Sequence, residues 1–152
     1  MLAQTKSVNW KKELIFSCPY SVVMPIRYYE AHDVKELVEL IVAKLEFNHI
    51  DINGIYCFRS IGSKSKRTVA RIHSLEKLWQ KALNKRSSYL IEVISERYDR
   101  LSRIEKEKVL IHELLHIPKG FAGGFRPHKG NITENKIESL HTRLTARTKQ
   151  DF

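Results

Sequence analysis

A chain of 152 residues, 42% of them apolar and 29% charged, is long enough to bury one core and too apolar to remain a disordered polyelectrolyte. Its two cysteines, Cys18 and Cys57, exclude a disulfide-dense scaffold and a zinc ribbon; they fit free thiols in a reducing cytoplasm, with a single bridge between them as the alternative. The formal net charge of +10 points toward polyanionic neighbours without supplying a motif that reads nucleic acid.

Residues 1 to 12 are polar and read as a weakly ordered start, with structure expected from near Leu14. The apolar stretch Leu14 to Ile26 is interrupted by Ser17, Pro19, Ser21 and Pro25, so neither a signal peptide nor a membrane span is expected. Tyr28 and Tyr29 beside Arg27 read as a partly buried strand or loop, although such interleaving also suits nucleic acid. Asp33 followed by Glu36 opens a helix to about Phe47, with Val34, Leu37, Val38, Ile41 and Leu45 at helical spacing. Past the Asn53-Gly54 turn signal, Ile55 to Arg59 has the composition of a strand, and a Ser, Gly and Lys loop follows. Thr68 to Ile72 predicts a second short strand. Leu75 to Leu83 predicts a helix with Trp79 in register with the leucines and in the core. Tyr89 to Ser95 is the clearest strand, and an extended peptide could add to its edge. His32, His49 and His73 lack partners at metal spacing and read as structural. Lys64, Lys66, Arg67 and Arg71, and the tail at Arg143, Arg147 and Lys149, read mainly as solvated surface; residues 146 to 152 read as a second weakly ordered tail.

The motif that carries chemistry is His112, Glu113, Leu114, Leu115, His116. Histidines at i and i+4 project from one side of a helix and can reach one metal ion, while Glu113 can address a metal-bound water. The setting is helical. Ser102 and Glu105 form a capping-box signature, Pro118 and Gly120 mark the end, and Ile104, Ile111 and Leu115 make an apolar stripe widened by Leu110, Leu114 and Ile117. A catalytic zinc takes three protein ligands and keeps a fourth position open. The third is His128, beyond the flexible loop Lys119 to Pro127, or else Glu134 or Glu138. Those two share a face with His141 on a helix opened by Thr133, whose apolar side is Ile137, Leu140 and Leu144. Eleven residues separate His116 from His128 and no methionine follows, so the chain is not a metzincin. Arg126 is a candidate cation for a developing oxyanion.

The passage from Tyr89 to Gly130 resembles the small zinc metallopeptidases of archaea and phages, whose signature is HELLHIP, a glycine-containing loop and RPH. Further similar segments are His49 to Asp51, Cys57 to Ser60, Gly62 to Ser65, Ala70 to Ile72 and Leu78 to Leu83, so the likeness runs from about residue 30 to residue 130. The resemblance implies a minimal zincin-like domain with His112, His116 and His128 on zinc, Glu113 as general base and protein or peptide substrates. The order of predicted elements gives an α+β fold, a small twisted sheet packed on helices, as one domain over 1–152. The alternative function is a basic, nucleic-acid-associated zinc protein whose metal site is structural or acts on DNA-bound proteins.

Overall fold

The computed structural model describes residues 25–150. Expectations for the polar start, for Leu14 to Met24 and for Cys18 lie outside those residues. The described chain runs through strand β1 (Arg27–Glu30), helix α1 (His32–Leu45), strand β2 (Ile55–Ile61), strand β3 (Ala70–Ser74), helix α2 (Lys77–Ala82), strand β4 (Tyr89–Ile94) and helices α3 (Ser95–Tyr98), α4 (Arg103–Leu115) and α5 (Glu134–Lys149). The strands form one mixed sheet in the order β1-β2-β4-β3. The central pair β2 and β4 is parallel, and both outer pairings are antiparallel. The fold is α+β, as expected, and none of the described helices is long and apolar enough to cross a membrane.

Periodicity decides which residues meet. Val34, Leu37, Val38, Ile41 and Leu45 are buried along one side of α1, and alternate positions Tyr89, Ile91 and Val93 of β4 are buried beneath them. Helix α1 packs on β2, α4 packs on β3, and α5 closes over both helices. Helix α5 continues to Lys149, past the point where order was expected to decline. Its arginines explain why: Arg143 donates to the Leu45 carbonyl at 2.6 Å, and Arg147 donates to the Lys44 carbonyl at 2.6 Å and to Glu46 at 3.1 Å. These bonds satisfy carbonyls that the end of α1 leaves without helical partners.

Several expectations need correction. Strand β1 exists, but Tyr28 and Tyr29 are exposed rather than partly buried, because β1 is an edge strand. Asp33 does not cap α1; Ala31 precedes the helix, and Asp33 instead accepts from the Arg59 guanidinium at 2.7 Å, which also donates to Asp99 at 3.0 Å. Arg59 thereby ties the start of α1 and the turn after α3 to β2, and holds the Asp33 carboxyl below its ordinary value. Trp79 is not core: Leu78, Trp79 and Leu83 all face solvent. The reason is that α2 is held by its polar side, Gln80 donating to the Leu75 carbonyl at 2.6 Å and to the Ala122 carbonyl at 3.4 Å. Strand β4 is interior, with no free edge for a peptide.

Ile104 was placed in the apolar stripe of α4 but is 54% exposed, whereas Leu110 is fully buried. Leu110→Ala is therefore expected to cost about 2–5 kcal/mol of unfolding free energy, and Ile104→Ala less than about 1 kcal/mol. Urea unfolding of both proteins, compared with the wild type, checks the assignment of the two positions.

Candidate metal centre

Helix α4 is set in register by its first residue. Ser102 accepts from the Glu105 amide at 3.3 Å while the Glu105 carboxylate accepts from the Ser102 amide at 2.8 Å, so the capping box read from sequence is present. From that start, Leu110, Ile111, Leu114 and Leu115 fall into the core. His112 and His116 come to one side of the last turn, and His116 is the helix C-cap. Glu113 lies between them and is 8% exposed.

The loop after α4 brings the third histidine back. Its middle is clamped by Tyr89, whose hydroxyl accepts from the Gly123 amide at 3.1 Å and donates to the Gly124 carbonyl at 3.2 Å. Gly123 has φ +95°, and a Cβ there would meet the Gln80 amide at 3.0 Å and the Leu75 carbonyl at 3.3 Å, so glycine is required on two grounds. The end of the loop returns to α4: the Arg126 amide donates to the His116 carbonyl at 2.7 Å. His128 follows two residues later.

Three imidazoles then converge. His112 Nε2 lies 3.1 Å from His128 Nε2 and 3.4 Å from His116 Nε2, and one nitrogen of each ring lies within 4.8 Å of the others. Ligand nitrogens on a tetrahedral zinc, with bonds of 2.0–2.1 Å, stand about 3.3 Å apart. Two of the three separations match that spacing and the third lies within 4.8 Å, so the triad could hold one metal ion. Nδ1 of His116 donates to the Arg126 carbonyl at 2.9 Å, which leaves Nε2 with its lone pair facing the cluster. Burial holds both His112 and His116 below the ordinary imidazole value, favouring the neutral rings that bind metal.

The competing ligands are elsewhere. Glu138 pairs with Lys108, and both Glu134 and Glu138 line the cleft that His112 and Glu113 also border without joining the nitrogen cluster; His141 pairs with Glu107 at 2.9 Å between α5 and α4. Of the other histidines, His73 pairs with Glu92 at 2.8 Å and His49 packs near Phe47. Among the described residues, His112, His116 and His128 are the group with metal-binding spacing.

Two features beside the triad were not legible in the sequence. Burial pushes the Glu113 carboxyl up to about 7, with the Ile72 backbone amide opposing that rise. Strand β3 is thus the free edge that borders the triad. A cleft of about 510 Å³ runs between Ala70, Arg71 and Ile72 on one side and the three histidines, Phe125 and Arg126 on the other. A second cleft, of about 430 Å³, continues from Glu113 toward Arg67 and Lys108. The Arg126 guanidinium, proposed from sequence as an oxyanion partner, lines the first cleft and donates to Asn131 at 2.8 Å.

The sequence pattern of the family described as Putative phage metallopeptidase matches residues 26–137, a span that contains β1 through the first turn of α5 and the whole histidine triad. No curated protein and no solved structure matches the chain.

The bond from His116 to Arg126 carries an expected outcome for the metal-free protein. Long-range ¹H–¹⁵N correlation spectra at neutral pH should show His116 as the Nδ1-protonated tautomer. Protonation at Nε2 instead would mean that the loop does not hold the ring in the orientation described.

Proposed function

The chain belongs to this family of phage metallopeptidases, and from that premise we propose that it is a zinc-dependent peptidase using His112, His116 and His128 as metal ligands and Glu113 as general base. The observation that supports this most strongly is the approach of three imidazole nitrogens to zinc-ligand spacing, with a buried carboxyl beside them. Zinc, when bound, supplies Lewis acidity at the scissile carbonyl and makes a nearby water a better nucleophile at neutral pH.

The protein groups have separable tasks. Glu113, as the carboxylate, takes a proton from the attacking water and delivers it to the leaving amine. The free edge of β3 offers backbone groups to an extended peptide. In the antiparallel ladder, Leu75 pairs with Ser88 and Val69 with Ile94, so by alternation Ala70, Ile72 and Ser74 turn their backbone groups outward; the Ile72 amide is taken by Glu113, and a peptide would draw on the other outward groups. This edge replaces β4 as the peptide-binding strand. Arg126 is positioned along the same cleft to stabilise negative charge on the carbonyl oxygen. A purely structural zinc would require a fourth protein ligand, and among the described residues the cluster has three.

The expected outcomes separate the roles. About one zinc per chain should be found in protein purified without a metal-affinity tag, retained in Glu138→Ala and lost in His128→Ala. Glu113→Gln should keep the metal while cleavage of a denatured protein falls by about 10²–10⁴-fold. Elemental mass spectrometry and a chelator-sensitive cleavage assay read the two properties independently; a protein that binds zinc yet cuts nothing under any condition would remove the peptidase assignment.

Arg126→Ala leaves the backbone carbonyl that orients His116 in place. It is expected to lower kcat by about 10²-fold or more with little change in KM, because the interaction develops with charge on the oxygen. Unchanged turnover would assign Arg126 to holding Asn131 alone.

A further inference from the structure

We propose that the connection between β2 and β3, together with the end of α3, forms a docking surface for the phosphodiester backbone of a nucleic acid, immediately beside the cleft that holds Glu113. This goes beyond the peptidase assignment and stands without it. The connection carries Lys64, Lys66 and Arg67, all exposed, and α3 with its following turn adds Arg97 and Arg100. Lys66, Arg97 and Arg100 line one cleft of about 450 Å³, which is the cationic one; Arg67 stands at the mouth of the adjoining cleft, where Lys108 is joined by Glu113, Glu134 and Glu138. The surface is thus continuous with the catalytic groove.

The charges here are available for a ligand. Lys64, Lys66, Arg67 and Arg100 have no ion-pair partner among the described residues, whereas Arg97 is engaged by the loop backbone and other cations are committed: Arg59 to Asp33 and Asp99, Lys108 to Glu138, Arg147 to Glu46. The acid within the patch, Glu96, is turned inward, its carboxylate accepting from the Gly62 amide and held below its ordinary value chiefly by that bond. Arg97 braces the loop from below by donating to the Ser65 carbonyl at 3.1 Å. The loop is therefore held in shape while its cations point outward.

The chemistry favours phosphates over an acidic protein. A protein interface gains much of its energy from apolar burial, and the apolar residues lining this cleft, Val69 and Leu101, are themselves already half-buried. A phosphodiester chain needs charge and hydrogen bonds, which guanidinium groups and the Ser63, Ser65 and Thr68 hydroxyls supply. The overall charge of +10 adds long-range attraction of the same sign. A protein bound to the same strand would then lie within reach of the groove.

Fluorescence anisotropy with labelled single-stranded and duplex oligonucleotides, across about 50–200 mM salt, tests this on the full chain. The wild type should bind with a salt-dependent affinity. Lys64→Ala/Lys66→Ala/Arg67→Ala should weaken binding by about tenfold or more and lower the slope of log affinity against log salt by about 2–3, and Arg100→Ala should do so by about 1. Lys77→Ala/Lys81→Ala/Lys85→Ala, on α2 and just after it, should leave both unchanged. Circular dichroism melts verify that the variants are folded, with Arg100→Ala deciding if the loop triple is not. Absence of salt-dependent binding, equal weakening by the α2 variant, or displacement of the oligonucleotide by polyglutamate at equal charge would each overturn the proposal.

Discussion

The reciprocal pair of hydrogen bonds between His116 and Arg126 is the constraint on which the centre depends. His116 ends α4, so its carbonyl lacks a helical partner, and the Arg126 amide supplies one at 2.7 Å. The Arg126 carbonyl in turn accepts from His116 Nδ1 at 2.9 Å. One bond finishes the helix and the other selects the tautomer, and both fix the chain two residues before His128. The i and i+4 geometry of α4 brings two candidate ligands together by itself, but the third imidazole joins them only because a loop closes on the helix end. Tyr89, the buried first residue of β4, completes that closure by gripping Gly123 and Gly124, so the histidine triad is coupled to an interior strand of the sheet.

Placing Glu113 between α4 and the free edge of β3 has an energetic consequence. A carboxyl with 8% exposure and no ion-pair partner among the described residues is tolerated because it keeps its proton until about pH 7. The folded-state value is raised above the unfolded one, so this group favours the fold at low pH and opposes it progressively as pH rises from the unfolded value toward the folded one. A divalent cation among the three histidines would pull the value back down, since the ion is then the largest nearby charge. The same burial that makes an ionised carboxylate costly there makes the carboxyl responsive to a metal ion.

Sequence legibility follows the range of the interaction. The capping box at Ser102 and Glu105 and the spacing of His112 and His116 are local, and both are present as read. The five buried positions of α1 follow from period alone. His128 could be named because glycines precede it, but the bonds that choose it over Glu134 and Glu138 join residues whose sequence separation carries no pattern. The same limitation explains the interior position of β4: its composition identifies a strand, whereas strand order is decided by which neighbours pair on each side. Trp79 shows the converse error. Apolar periodicity at Leu75, Leu78 and Leu83 suggested a core-facing helix, yet one glutamine, Gln80, is what binds α2 to the rest of the molecule. Asp33 likewise has the local look of a helix cap, but Arg59, distant in sequence, takes its carboxylate.

The high positive charge also divides into two populations once contacts are considered. Some cations act within the fold: Lys35 donates to the Ile52 and Ile55 carbonyls at 2.6 and 2.8 Å, Arg143 and Arg147 close the end of α1, and Arg59 joins two carboxylates. Their charge is largely spent on carbonyl dipoles and acids that would otherwise lack partners. The remainder is unevenly distributed, because a short loop between two strands cannot bury long cationic side chains and must project them. Net charge alone therefore says little about where a polyanion would sit. What concentrates the field beside the groove is that Lys64, Lys66 and Arg67 project from one four-residue stretch, while the nearby carboxylate of Glu96 is occupied by the backbone of that same loop.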